Sequence, residues 1–197
     1  MSEPAYLKAF KELLRSEPTF LDLPMMEVEF YGESDRAAIL LSATLAELAI
    51  EVSLKRLLRD DKSTLDLFDH EAPLGSFSGK IKLAFALRLF DKKTKHDLEL
   101  IRHLRNGFAH DRRHLTFATP QVADICKHLM LPDTNYAKIP GAYLNKAKDV
   151  DAAQDMKNPK TRYVTTCNSI AVVLVTFGRL PRDLPEDAPG TSLPRLP

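Results

Sequence analysis

The chain has 197 residues, of which 44% are hydrophobic and 28% charged, and its formal net charge at neutral pH is +1. That is globular composition with enough length for one domain around a single core, and it excludes wholesale disorder. The small net charge excludes bulk attraction to nucleic acid, and no uninterrupted apolar run reaches 18 residues, so no membrane-spanning helix is predicted.

In chain order, Tyr6, Leu7, Phe10, Leu13 and Leu14 recur at helical spacing after Pro4 and predict a short first helix that Pro18 ends. Ser34-Asp35 is a capping pair for a long helix over about residues 36–59. Its apolar residues (Ile39, Leu40, Leu41, Leu45, Leu48, Ile50, Val52, Leu54, Leu57, Leu58) nearly encircle it, which places it at the centre of a bundle. Glu47 and Glu51, one turn apart on that helix, then need cationic partners, because an unpaired buried carboxylate is costly.

Leu65, Leu67 and Phe68 form a short apolar element, followed by the turn Pro73-Leu74-Gly75. Ser76 caps a helix bearing Phe77, Ile81, Ala84, Phe85 and Leu87 at spacings of three and four, and Asp91-Lys92-Lys93 connects it to a helix over about 94–111. Thr119-Pro120 opens another with Val122, Ile125, Cys126 and Leu129. Residues 131–160 read as loop, with a short helix allowed near Ala142–Lys148. Pro159 starts a last helix to Phe177; its Val172, Val173 and Val175 would also suit a strand, but a single strand has nothing to pair with. The prediction is an all-α compact multi-helix bundle spanning residues 1–180, with a Pro-rich, disordered tail over 181–197.

Charge is polarised locally. Residues 79–114 hold ten Lys/Arg and four acids, a local +6, while the remainder carries −5. Lys80, Lys82, Arg102 and Arg113 from this stretch are candidate phosphate or nucleic-acid contacts, with a solvated helix face as the alternative. On a helical wheel with Leu98 at zero, Ile101, Leu104 and Phe108 make an apolar stripe and Arg105 falls on its margin. Glu47 or Glu51 is therefore the expected partner of Arg105. Asn106 and His110 are neighbours on the polar face, about 140° from Arg105 for His110, so joint action on one phosphate requires deformation near Gly107 or a second subunit.

The run Pro73-Leu74-Gly75-Ser76-Phe77-Ser78, then Ile81-Lys82-Leu83-Ala84, then Leu98, Ile101, Arg105-Asn106 and Phe108-Ala109-His110 resembles the mannitol operon repressor family, grouped with the wider HEPN superfamily. The resemblance is strongest over about residues 36–130. It implies a helical bundle, a homodimer, a bacterial cytoplasm and a repressor-type role in transcriptional control. With no helix-turn-helix pattern, that control would run mainly through a protein partner, or through nonspecific nucleic-acid contacts.

The alternative that the resemblance brings is a metal-independent endoribonuclease acting on RNA. There Arg105 or Arg102 would stabilise the phosphate, Asn106 orient the phosphate or the imidazole, and His110 take the 2′-hydroxyl proton. No cofactor is implied. His110-Asp111-x-x-His114 is too small a set for a zinc site, and no metal is expected. Cys126 and Cys167 form no CxxC pair, and no secretory pattern opens the chain, so a reducing cytoplasm without membrane attachment is the expected setting.

Overall fold

The computed structural model describes residues 30–111, 113–131 and 156–177. Among them are six helices and no strand: α1 (Asp35–Lys55), α2 (Lys62–Asp66), α3 (Phe77–Ala86), α4 (Lys92–His110), α5 (Pro120–Lys127) and α6 (Pro159–Phe177). The predicted first helix, the Ala142–Lys148 helix and the Pro-rich tail lie outside the described residues.

Helix α1 begins where the Ser34 hydroxyl accepts the Ala37 N–H at 3.3 Å, with Asp35 in its first turn and Lys55 in its last complementing the helix dipole. It ends about four residues sooner than its sequence suggests. The Arg56 side chain donates instead to the Val175 carbonyl at 2.5 Å, and Leu57, the next residue, is 56% exposed, with no core to face.

The α1–α6 pair is the axis of the bundle. Ala38, Ala43, Ala46 and Ala49 give α1 a small-residue surface, while α6 brings Tyr163, Val164, Cys167, Ile170, Ala171 and Leu174 to full burial. Two buried hydroxyls fasten the pair: Tyr163 donates to the Ile39 carbonyl at 3.2 Å and Ser53 to the Leu174 carbonyl at 3.1 Å. Packing of this kind explains why a valine-rich segment is helical. Tertiary burial overrides a weak β preference that has no strand partner to reward it.

An 18-residue window of α1 has mean hydropathy 1.8, so its length and composition would allow it to cross a membrane, against the expectation from uninterrupted runs. Most of that window is buried inside the bundle, and it includes Glu47 and Glu51 among the ion pairs described below. Burial in the core accounts for its hydropathy.

Helices α3 and α4 close the bundle beside α1. The Ser76 hydroxyl accepts the Gly79 N–H (3.1 Å), and the Asp91 carboxylate accepts the Thr94 N–H (2.8 Å), so α4 starts two residues earlier than the sequence pattern places it. The turn before α3 is sterically closed: a Cβ on Gly75 would lie 2.2 Å from the Asp69 carbonyl oxygen. No such barrier exists at Gly107, and α4 passes through it unbroken to His110.

Candidate functional site

The charged residues gathered by α1, α3 and α4 form one cluster. Lys80 lies on α3 three residues after Phe77 and beside Ile81, so its stem follows the buried face of that helix. Its ammonium sits 2.9 Å from Glu47 Oε1 and 2.7 Å from Glu51 Oε2, with only 8% of the side chain exposed. Glu51 also binds Lys55 at 2.7 Å. Across α4, an Arg105 guanidinium nitrogen stands 3.7 Å from Glu47 Oε2 and another donates to Asn106 Oδ1 at 3.2 Å.

Burial pushes the Glu51 carboxyl up, but the Lys55 and Lys80 ammoniums outweigh it and leave the pKa below the usual carboxylate value. Lys80 shows the converse. Desolvation opposes its charge, yet the two carboxylates hold its pKa above the ordinary lysine value. The cluster is therefore ionised at neutral pH and internally compensated. This corrects the expectation that Lys80 is a surface contact for phosphate: its charge is committed to two glutamates inside the protein.

The other candidates are separate from this cluster. Lys82 is exposed. Arg102 is tied along α4 to Glu99 at 2.8 Å. Arg113 is largely exposed and holds the Asp111 carboxylate, whose pKa falls to about 2 through hydrogen bonds from the Arg113 side chain and backbone. His110 is exposed and lines a shallow depression of about 530 Å³ with Arg36, Ala109, Asp111, Arg113 and His114. Because α4 continues through Gly107 to His110, Arg105 faces Glu47 while His110 faces this depression, and one subunit does not converge them on a common phosphate.

Three anchoring residues were not singled out by sequence reasoning. Arg36, at the start of α1, donates to the carbonyls of Phe108, Asp111 (2.9 Å) and Arg113 (2.9 Å), satisfying the C-terminal end of α4. Arg162 on α6 donates to the Cys126 and Leu129 carbonyls at the end of α5. Asp97, fully buried, accepts the N–H groups of Met130 and Leu131 at 2.8–2.9 Å and lies 3.2 Å from His96 Nδ1. Desolvation leaves its pKa raised despite those hydrogen bonds. A signal for Asp97 existed. On the same wheel it falls at about 260°, in the middle of the Leu104–Phe108 apolar stripe.

Among the described residues no group of three or more His, Cys, Asp or Glu side chains could hold a metal ion. Cys126 and Cys167 are buried free thiols, and burial raises the Cys126 pKa to about 12. The polar side chains that converge do so on one another, as cross-links between helices.

An all-α module whose inner cations are held by its own carboxylates fits the class of helical regulatory and interaction domains. Residues 31–176, or 146 of the 197, match the family model described as "MtlR: Mannitol repressor", and the chain belongs to the mannitol repressor family. No curated protein matches the sequence. A similar solved fold is the chain in the X-ray structure of the MtlR–HPr complex from Escherichia coli, with 18% identity, a TM-score of 0.52, and coverage of 76% of this chain and 96% of that one. At that identity the likeness is one of fold.

Proposed function

We propose that the protein is a repressor-type regulator of transcription in the bacterial cytoplasm, working as a homodimer through contacts with a partner protein. The family match over residues 31–176 carries this reading. The geometry supports it, because the cations of the inner cluster serve the fold and leave partner recognition to the exterior. The MtlR–HPr pairing seen in the similar structure makes an HPr-type protein the first partner to examine. Two buried thiols without a disulfide suit a reducing compartment. The wider HEPN kinship draws on the Arg105-Asn106 and His110 spacing.

The endoribonuclease alternative lacks comparable support, since Arg105 is turned to Glu47 and a second subunit would have to complete any site at His110.

The test is expression of the full chain in a bacterial strain carrying a reporter under a mannitol-operon promoter. Lowered reporter output, with binding of HPr by calorimetry and a dimer mass by light scattering, is the expected result. Unchanged output from a folded, abundant protein overturns the regulatory reading.

A further inference from the structure

Helix α1 has three sides. Helices α3 and α4 meet it at Glu47 and Glu51, and α6 meets it at Ser53, whose hydroxyl donates to the Leu174 carbonyl. On the third side Leu41, Leu45, Leu48 and Val52 recur at spacings of four, three and four. They fall within about 60° of one another, about 110° from Ser53 and about 130° from Glu47. Leu45 and Val52 are buried and Leu48 is half-buried, but Leu41 is 41% exposed and Thr44 beside it is exposed. The Thr44 hydroxyl turns back to the Leu40 carbonyl of its own helix at 2.8 Å, which leaves this edge of α1 apolar in character.

An occupant of matching chemistry lies in the same chain. Residues 5–15 are outside the described residues, and their sequence predicts an amphipathic helix. Tyr6, Leu7, Phe10, Leu13 and Leu14 fall within about 120° of one another, with Lys8, Lys11, Glu12 and Arg15 on the other side. A helix of about ten residues is marginal alone in water, so its apolar face needs a seat. The point of entry into the bundle is fixed: Phe30 is buried in the core, and the Tyr31 hydroxyl lies 2.8 Å from Thr165 Oγ1, just before α1 begins. From there the fourteen residues 16–29 can span up to about 45 Å, whereas Leu48 lies about 20 Å along α1 from Asp35.

We propose that residues 5–15 dock as a helix along the third side of α1, with Phe10, Leu13 and Leu14 against Leu41 and Leu48. A tethered segment meets this edge at an effective concentration in about the millimolar range, which a second copy in solution does not reach. The edge is also small. One exposed and one half-buried leucine fall well short of the about 800 Å² per partner that a stable interface between two proteins buries. Docking there completes the cover of α1, whose apolar residues nearly encircle it.

The experiment uses the full chain carrying Phe10→Trp, which gives a single emitter because the native sequence has no tryptophan. Its emission is expected to be blue-shifted, with acrylamide quenching several-fold weaker than in the urea-unfolded chain. Adding Leu41→Lys/Thr44→Glu, at two exposed positions, should shift the emission to the red and raise quenching several-fold while the bundle still melts cooperatively. Leu57→Lys, at a leucine that is 56% exposed elsewhere, should change neither. A second measurement leaves α1 free of new charges. Cys126 and Cys167 are buried, so the thiol of Leu41→Cys is the one open to maleimide among the described residues, and Leu13→Lys/Leu14→Lys should speed its labelling several-fold. Water-exposed emission from the start, emission that ignores Leu41→Lys/Thr44→Glu or answers equally to Leu57→Lys, or unchanged labelling overturns the proposal. A red shift on dilution, with a falling mass by light scattering, also overturns it and makes a second copy the cover.

Discussion

Replacing Lys80 by methionine removes the ammonium from between two carboxylates while keeping the length of the stem. In the native protein that ammonium lies 2.9 Å from Glu47 and 2.7 Å from Glu51, and all three side chains are at least four-fifths buried. Deleting one partner of a buried ion pair costs about 3–5 kcal/mol, because the remaining charge stays desolvated without compensation. Lys55 remains on Glu51 at 2.7 Å and Arg105 remains near Glu47 at 3.7 Å, which places the expected loss toward the low end, about 3 kcal/mol. For a domain of this size that is a fall in Tm of about 6–12 °C.

The deficit has a pH signature. Glu51 has a lowered folded pKa, so its stabilising contribution is present above the ordinary carboxylate range and is lost as pH falls through the folded value. Lys80 has a raised folded pKa, so its contribution is present below the ordinary lysine value and is lost as pH rises through the folded one. Native stability from this cluster is therefore full between those limits. In Lys80→Met two carboxylates face each other, and the deficit should shrink on acidification as they take up protons. Urea denaturation of both proteins at neutral and mildly acidic pH measures it. A deficit below about 1 kcal/mol that does not change with pH would refute the view that this lysine is an internal counter-ion.

Asp97→Asn should cost about 2–3 kcal/mol by urea titration, since an amide offers one acceptor oxygen where the carboxylate now takes N–H groups on both. The native carboxyl has a raised folded pKa, so this group alone makes the fold more stable as pH falls through that value toward the ordinary range; the Asn variant should lack that slope. Gly107→Ala, into open space within α4, should stabilise by about 1 kcal/mol, whereas Gly75→Ala, whose Cβ meets a carbonyl oxygen at 2.2 Å, should lower Tm sharply. Arg88→Gly should gain about 1 kcal/mol in thermal melting by relieving the left-handed backbone. His110→Ala, at an exposed position, should leave stability within about 0.5 kcal/mol and should leave RNA incubated with the protein as intact as the native chain does.

The helices were legible because their signals are local. Ser34 and Ser76 each accept the N–H three residues on, and Pro120 and Pro159 open α5 and α6, whereas Asp91, read as part of a connection, is the cap of α4. Legibility failed where a side chain's value depends on another helix. Lys80 in isolation is a cation among cations, and only the arrival of Glu47 and Glu51 from α1 makes it an interior residue. Arg36 likewise looks like a first-turn surface residue until the carbonyls at the end of α4 meet it. Asp97 differs: its place in the apolar stripe was visible, but its partners are backbone N–H groups at Met130 and Leu131, which carry no sequence signature.

These partnerships bear on how a helical module of this kind can evolve partners without losing its fold. The inner cluster, the Arg36 cap and the Asp97 cross-link each use charge where the alternative is an unsatisfied buried group, so each is sensitive to single substitutions. The α3–α4 corner is different. Lys82 and Lys92 are exposed there, and Lys92 stands at the positive end of the α4 dipole, so exchanging them costs the fold little. Under that division, substitutions at Lys80 or Asp97 lower the amount of folded protein, while a substitution at Lys92 leaves it nearly unchanged. Measuring Tm across both sets separates the two: a Lys92→Glu protein that melts well below the native chain would show that the corner belongs to the scaffold after all.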